Sequence, residues 1–374
     1  MALCACTLAI LRGQSNGSFE SLAQRANAAL ETDRVEEAIR LYTQALAVKP
    51  DWPEGLWHLG TLEYDRDRFA SARDSFKKFV ALQPSAGQGW AMLGLCEVKL
   101  KSYREAFKAI ERGRSLGLGP NREFNQAVKF QAGLLLNKFG YPDAGMKLLE
   151  GIAAQVEGGA GVDGKKGLVL TNTAIVDAIG LVALRYPLMP DEVPASKAML
   201  VHQAGLAQSL VAVREYADAE AAFRGFVQTY PNERGVHYMY GVLLLHSDDP
   251  QAAEEFKKEL ELFPDDADSM IQLAFWYLRN AEPQTGLRYA ESALKLVPGN
   301  FAAYLVLGRL LLGLDRAPDA VTKLEKAAQL APNSADVHFA LASAYSRLGR
   351  AEDARREQAE FKRLRSLQEK PAAK

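Results

Sequence analysis

Cysteine is scarce in this sequence, and its distribution excludes two kinds of stabilising chemistry. The 374 residues include three cysteines, Cys4, Cys6 and Cys96. A disulfide framework needs paired cysteines, and a zinc site built on cysteine needs two separated pairs, so the folded region can hold neither. Cys96 lies in an apolar helical stretch, where we expect it to pack as an inert side chain.

Net charge and long apolar runs are also missing. Lysine and arginine total 45 against 46 for aspartate and glutamate, which gives a formal net charge of -1. This balance argues against nucleic acid or an anionic membrane surface as the main partner. A membrane-spanning helix needs about 20 apolar residues. No segment without charges reaches that length, so we predict no integral membrane span and no nucleic-acid partner.

Residues 1–18 combine a short apolar run with a polar linker. The run ALCACTLAIL, over residues 2–11, has the length of the apolar region of a signal peptide. No lysine or arginine precedes it, and the cleavage site is poor. Two interpretations stay open: a bacterial export signal whose first residues lie upstream of this start, or a loosely packed apolar tail. The first places the protein in the periplasm or outside the cell, and the second in the cytoplasm.

Residue patterns typical of catalysis or cofactor binding are absent from the sequence. The five histidines form no H-x-x-x-H or H-E-x-x-H pair, and we expect them on the surface or in a groove. Gly159 to Gly164 fits G-x-G-x-x-G, but the segment before it has a helical pattern. Lys166 stands where a phosphate-binding loop has Ser or Thr. We therefore predict a plain loop there, with no cofactor, no metal site and no catalytic residue in the chain.

What the sequence does contain is a repeat of about 34 residues. Prolines close successive apolar blocks, and their spacings are 34, or 33 in one case, within each run: Pro50 and Pro84, then Pro231, Pro264, Pro298 and Pro332. Inside a block a small residue is followed twelve positions later by another, and then by a large apolar residue. Small residues let two helices approach closely, and the proline stops the second helix without removing an internal hydrogen bond.

The second block shows the pattern in full, with Leu59-Gly60, Ala72, Phe76 and Pro84. It resembles the tetratricopeptide repeat family, and the resemblance covers most of the chain. The family implies an all-α fold, a right-handed superhelical solenoid of antiparallel helix pairs. Nine units fit the pattern: 19–52, 53–86, 87–120, 125–157, 200–232, 233–266, 267–300, 301–334 and 335–364.

The array is interrupted in the middle by an irregular insertion. Gly133, Gly145 and Gly151 weaken the helices of the fourth unit. The stretch after it is rich in glycine and proline, and the apolar run over 168–186 predicts one extra helix. The predicted organisation is an N-terminal segment 1–18, an arm 19–157, a joint 158–198, an arm 199–368 with a polar capping helix, and a frayed tail 369–374.

In the tetratricopeptide family the first helix of each pair lines a concave groove that binds a peptide. Carried onto matching positions, the resemblance implies an aromatic and aliphatic groove with arginines in the C-terminal arm. The implied groove residues are Trp57, Thr61, Tyr64, Leu95, Tyr238, Ile271, Phe275, Arg279, Arg309, Phe339 and Arg347. Some family members grip chaperone tails with Lys and Asn. Here Asn27 is at a suitable position, but Ala23 replaces the lysine, which makes that ligand doubtful.

Three functional interpretations remain open. The first is a non-catalytic scaffold that binds a peptide or protein segment in the groove. The second is a regulatory or assembly subunit of a cytoplasmic enzyme complex, with catalysis in another chain. The third, remote, is an enzyme with a site in the 158–198 joint, although that segment contains mainly glycine, proline and aliphatic residues. Groove chemistry restricts the class of peptide and not its identity.

Overall fold

A computed structural model describes residues 18–157 and 172–369 of the chain. Three predictions from the sequence fall partly or wholly elsewhere. The apolar run of the N-terminal segment, the glycine motif at 159–164 and residues 370–374 of the tail lie outside the described residues.

The described chain consists of α-helices joined by short turns, with one 3-10 turn at Pro190–Glu192. The helices before the gap are α1 (Phe19–Glu31), α2 (Val35–Val48), α3 (Pro53–Asp65), α4 (Phe69–Leu82), α5 (Gly87–Lys99), α6 (Tyr103–Leu116), α7 (Arg122–Lys138) and α8 (Pro142–Glu157). Those after it are α9 (Thr173–Ala183), α10 (Ala195–Ala212), α11 (Tyr216–Thr229), α12 (Val236–His246), α13 (Gln251–Leu262), α14 (Ala267–Arg279), α15 (Pro283–Leu296), α16 (Phe301–Gly313), α17 (Ala317–Leu330), α18 (Ala335–Arg347) and α19 (Ala351–Glu369).

Eighteen of these helices form nine consecutive pairs, from α1/α2 to α7/α8 and from α10/α11 to α18/α19. Six pairs fall within their sequence units, while α7 and α10 begin before units 125–157 and 200–232, and α19 extends beyond unit 335–364. Sharp turns join the two helices of a pair, so they run antiparallel and bury their apolar faces against each other and, within 19–157 and within 195–369, against the next pair. The predicted fold class, an all-α array of antiparallel helix pairs, is confirmed, and α9 is the additional helix.

Local chemistry explains where the helices begin and end. Asn300 caps the start of α16, because its side-chain oxygen accepts a hydrogen bond from the Ala302 N–H at 2.9 Å. Asp266 caps α14 in the same way through Ser269. The first residue of α15 is Pro283, whose missing N–H is not needed there. The repeat prolines follow the second helices, as at Val48 and Pro50.

The turn within each helix pair has a residue in the left-handed backbone region. In seven of these turns it is not glycine, and the positions are Asp33, Asp67, Lys101, Arg214, Asp248, Ala281 and Asp315. The conformation costs about 1 kcal/mol for a residue with a side chain. The turn recovers hydrogen bonds: after α16 the Arg316 N–H bonds the Leu311 carbonyl at 2.9 Å. Arg185, which follows α9, has the same conformation, so this helix ends like the first helix of a pair.

Small residues bring the paired helices into close contact. A side chain on Gly60 of α3 would meet the ring of Phe76, on the paired helix α4, at 2.9 Å. In the fourth unit a side chain on Gly145 would lie 2.5 Å from the Gly133 carbonyl. These two glycines therefore have a packing role: they let α7 and α8 approach, whatever they cost in helix propensity.

The described residues divide into two compact units. The first contains 18–157 and 187–192, and the second contains 172–186 and 193–369. Within the first unit, Lys138 forms an ion pair of 2.7 Å with Glu192, which attaches the 3-10 turn to α7. The helix α9 belongs to the second unit and packs on α10. The boundaries of the two arms and of the 158–198 joint stay a prediction.

Candidate protein-interaction site

The four groove residues predicted in the first unit lie on α3 and α5 and are mostly engaged in packing. Trp57 contacts the Phe76 ring edge to face, with 5.7 Å between centroids. The Thr61 hydroxyl donates to the His58 carbonyl of its own helix at 2.9 Å. Burial raises the pKa of Tyr64 to about 12, and Leu95 is buried. These side chains offer little free surface to a ligand.

Two predicted residues of the second unit are also buried. Ile271 is part of the hydrophobic core formed with α15 and α16. Tyr238 is held by Arg185, whose guanidinium lies 4.6 Å from the ring centroid and donates to the tyrosine hydroxyl. The same guanidinium forms an ion pair of 2.8 Å with Asp268. Tyr238 is therefore part of an internal polar network.

Three predicted residues come together on the first helices α14 and α16. The guanidinium of Arg309 lies 5.7 Å from the centroid of the Phe275 ring, and that of Arg279 lies 6.0 Å from it. Phe275 is half-buried and both arginines are exposed. An exposed cation–π contact of this kind contributes about 0.5–1 kcal/mol. The arrangement presents a ring edge and two cations on one surface, which we call the Phe275 cluster.

The predicted arginines differ in what else they contact. Arg279 donates to the Leu245 carbonyl at 3.4 Å and forms an ion pair with Asp248, in the turn of the preceding pair. Arg347 repeats this contact, with the Leu312 carbonyl and with Asp315 at 3.3 Å. Arg309 has no carboxylate partner among the described residues. It is therefore the arginine of this face that can accept a new anionic partner.

Phe339 packs within the last helix pair. It lies 57% exposed on α18, and its ring centroid is 5.3 Å from that of Phe361 on α19. Phe339 and Phe361 line a concave pocket of about 560 Å³. Which of the predicted groove residues contact a ligand stays a prediction.

Sequence reasoning missed a buried polar arrangement that occurs twice. His237 and His338 were expected on the surface or in a groove, but both are buried. The Nδ1 of His237 lies 2.6 Å from Glu255, and its Nε2 lies 2.9 Å from the Pro231 carbonyl. His338 makes the same pair of contacts with Glu357 at 2.7 Å and with the Pro332 carbonyl at 2.9 Å. The signal in the sequence is a histidine six residues after a repeat proline.

Both ring nitrogens of His237 face acceptors, which favours the doubly protonated ring. Burial opposes the charge, but the hydrogen bond to Glu255 and its negative charge outweigh burial, so the pKa of His237 is raised. Burial would likewise raise the pKa of Glu255, yet hydrogen bonds from His237 and Lys258 lower it. The pair is an ion pair that joins α12 to α13.

A buried carboxylate also caps the helix that carries His237. Glu259 of α13 is fully buried and accepts hydrogen bonds from the Gly235 N–H at 2.7 Å and the Tyr238 N–H at 3.2 Å. These N–H groups belong to the first turn of α12, which has no partner for them within the helix. Burial raises the pKa of Glu259. The carboxylate has a structural task, since both its oxygens are already used.

Other reactive side chains in the described ranges have structural roles. No group of three or more His, Cys, Asp or Glu side chains there is placed to hold a metal ion. Cys96 is buried, and burial raises the pKa of its thiol to about 12, so it is an inert side chain. Across the described ranges, no helix combines the length and apolar composition that crossing a membrane requires.

Comparison with known families agrees with this architecture. A model described as tetratricopeptide repeat matches residues 24–78, 58–121, 205–267 and 277–335. A second model with the same description matches residues 323–356. The matched segments contain most of the helix pairs of both units, including the Phe275 helix in part and all of α16.

Two relatives match short stretches of about a quarter of the chain. Protein O-mannosyl-transferase TMTC3 of Homo sapiens is 30% identical over 101 residues, which is 26% of this chain and 11% of that protein. The heat-shock protein cognate (HSC) co-chaperone sgt12 of Aspergillus fumigatus is 28% identical over 101 residues, 27% of this chain and 30% of that protein. The chain thus spans less than a third of either relative.

Similar solved structures cover a little under half of the chain. MamA 41-end from Desulfovibrio magneticus RS-1 is 19% identical, with a TM-score of 0.41, over 46% of this chain and 97% of that one. MamA AMB-1 is 22% identical, with a TM-score of 0.37, over 43% and 95%.

Proposed function

We propose that this chain, which belongs to the tetratricopeptide repeat family, is a non-catalytic scaffold that binds an acidic segment of another protein at the Phe275 cluster. A protein-interaction role follows from the repeat array, because stacked helix pairs present a long surface built from first helices. The observation that carries the specific site is Arg309, an exposed guanidinium over a half-buried ring with no carboxylate partner among the described residues.

The chemistry of the cluster selects the ligand. A guanidinium offers five N–H donors in a planar fork and binds a carboxylate through two parallel hydrogen bonds. The Phe275 ring supplies apolar contact beside it. Arg279 is already paired with Asp248, so Arg309 supplies the free donors. The best ligand is a segment with a carboxylate next to an apolar side chain.

The co-chaperone relative does not change this proposal. Its printed role belongs to that protein, of which the chain spans 30%. At the position where chaperone-binding members use Asn, the Asn27 oxygen of this chain accepts a hydrogen bond from the Tyr42 hydroxyl at 2.6 Å. Ala23 stands in place of the lysine. We therefore propose that the ligand is an acidic segment bound by the second unit, and not a chaperone tail bound by the first.

The test is direct binding of a short labelled peptide of alternating Glu and Leu to the full chain, followed by fluorescence anisotropy. We expect Arg309→Glu to weaken binding by about tenfold, because attraction to the peptide carboxylates becomes repulsion. Added salt should weaken wild-type binding as well. The same peptide with Lys in place of Glu should bind poorly.

The matched control is Arg288→Glu, at an exposed arginine of α15, which changes the net charge equally. Helical content by circular dichroism verifies that both variants are folded. If Arg288→Glu and Arg309→Glu weaken the acidic peptide to the same extent, general charge attraction explains the binding and the site is wrong.

A further inference from the structure

The outer face of the last helix pair is a second surface with the features of a binding site. Its pocket of about 560 Å³ lies between α18 and α19. Phe339 and Phe361 line it, and Ala342 and Ala354 leave room on its floor. It shares no residue with the Phe275 cluster, so the inference below does not rest on the proposed function.

The preceding helix pair shows what packs on the equivalent face inside the array. On the preceding pair the matching face carries Leu312 and Leu324, and both are buried because α18 packs on α16 and α17. On the last pair the corresponding positions are Ser346 and Gln358, and both are exposed. No helix among the described residues covers this face. Its shape is therefore that of a surface against which a helix stacks, with a partly polar lining.

Two cations without acidic partners flank the apolar floor. Arg355 and Lys362 are exposed on α19, and neither forms an ion pair with a described residue. Their neighbours differ: Arg356 pairs with Asp353 at 3.0 Å, and Arg363 pairs with Glu360. Seven residues of helix separate Arg355 from Lys362, which is two turns or about 10.5 Å.

We propose that this face binds an amphipathic helix of a partner protein, with an apolar stripe over Phe339 and Phe361 and two carboxylates seven residues apart. The stripe fills the pocket as a following first helix does on the inner pairs. The carboxylates meet Arg355 and Lys362. A second copy of this chain is the poorer occupant, because a symmetric contact sets the same cationic surface against itself.

A designed peptide tests the proposal on the full chain. It is an amphipathic helix with Leu on one face and Glu at two positions seven residues apart, and its matched peptide has Lys at those positions. Fluorescence anisotropy measures both. We expect the acidic peptide to bind wild type at least about tenfold more tightly than the basic peptide. The double variant Arg355→Glu/Lys362→Glu should reverse that preference.

The reversal keeps the test valid even if the variants are somewhat destabilised, because a folding defect cannot improve binding of the basic peptide. The control double variant is Arg288→Glu/Lys326→Glu, at exposed residues of α15 and α17, and it should keep the wild-type preference. Arg309→Glu should also leave this helix binding unchanged. Equal affinities of the two peptides for wild type would overturn the proposal. So would a dimer in sedimentation that Phe339→Asp abolishes, since the second copy would then be the occupant.

Discussion

Single residues buried between helices fix the pairing of α12 with α13. His237 and Glu255 form a buried ion pair, at a depth where either charge alone would be costly. The Pro231 carbonyl completes the arrangement, because it can only accept a hydrogen bond. His338 and Glu357 repeat the geometry between α18 and α19. Loss of His237 leaves Glu255 with Lys258 alone, and loss of Glu255 leaves the buried His237 ring with the Pro231 carbonyl alone.

The first prediction concerns the pH dependence of this pair. The pKa of His237 is raised above its ordinary value of 6.5. Its contribution to stability is complete below that value and is lost as the pH rises through the folded pKa. The pKa of Glu255 is lowered from 4.5, so its contribution is lost as the pH falls through the folded pKa. We expect His237→Gln to cost roughly 2 kcal/mol of unfolding free energy near pH 5.5 and less near pH 8.5.

Urea unfolding at both pH values, or hydrogen exchange of the α12 amides, measures the difference. His246→Gln is the matched control, since His246 is exposed and its Nδ1 lies 2.8 Å from the Val242 carbonyl of its own helix. That variant should show no such trend. An equal cost of His237→Gln at both pH values would show that folding does not raise the pKa of His237.

Glycine lets several helices of this fold approach each other closely. The contact between α9 and α10 is the tightest case. A side chain on Gly180 would lie 1.9 Å from the Val201 carbonyl, and one on Gly205 would lie 1.9 Å from the Val176 carbonyl. Backbone atoms cannot give way as a flexible side chain can. The two helices must separate if either glycine acquires a side chain.

The second prediction compares two glycine substitutions in the same unit. Alanine is the better helix former by about 1 kcal/mol, yet Gly180→Ala should destabilise the second unit by about 2–4 kcal/mol, because it forces α9 from α10. Gly225→Ala, on α11, meets nothing within 4 Å and should stabilise by up to about 1 kcal/mol. Thermal unfolding of both variants measures whether each substitution raises or lowers the stability. A neutral Gly180→Ala would mean that α9 is not packed in this way.

The 34-residue period was sufficient to predict the helix pairs. Pro50 and Pro84 marked the ends of α2 and α4, and the apolar run over 168–186 predicted the helix that became α9. The period could not show that α9 packs on α10, since that contact depends on Gly180 and Gly205, which lie outside any repeated pattern. Nor could it pair His237 with Glu255, which is eighteen residues away on another helix.

The candidate site was predicted less completely, for a geometric reason. Family positions identify which side of a first helix faces the concave surface, and they predicted Phe275 and Arg309 as groove residues. They say nothing about the turn of the neighbouring pair. Asp248 in that turn lies close to Arg279, so an arginine expected to meet a ligand has an internal partner. Burial of Tyr238 depends in the same way on Arg185, from outside the repeat.

At the scale of the whole molecule, the two compact units should unfold separately. The four tryptophans report on them unequally, because Trp52, Trp57 and Trp90 lie in the first unit and Trp276 in the second. Repeat arrays unfold by local units more readily than compact domains of equal size.

The third prediction uses that distribution. In a Trp276→Phe background, fluorescence reports the first unit alone, while circular dichroism reports both. We expect the two urea transitions not to coincide. Adding Gly180→Ala should move the circular dichroism transition to lower urea and leave the fluorescence transition in place. A fluorescence curve that shifts equally with Gly180→Ala would show that the whole chain unfolds as one.

The contact of Arg279 with the preceding turn has a consequence for rearranging the array. Asp248 forms an ion pair with Arg279, and Asp315 forms one with Arg347. In each case the arginine belongs to the following helix pair. Between these pairs the turn residue is Ala281, and the position that would carry the arginine is Gly313. At these three junctions, donor and acceptor are thus present together or absent together. The charges of neighbouring helix pairs are complementary at these junctions. A change in the order of the pairs would therefore leave unpaired charges that the native order pairs.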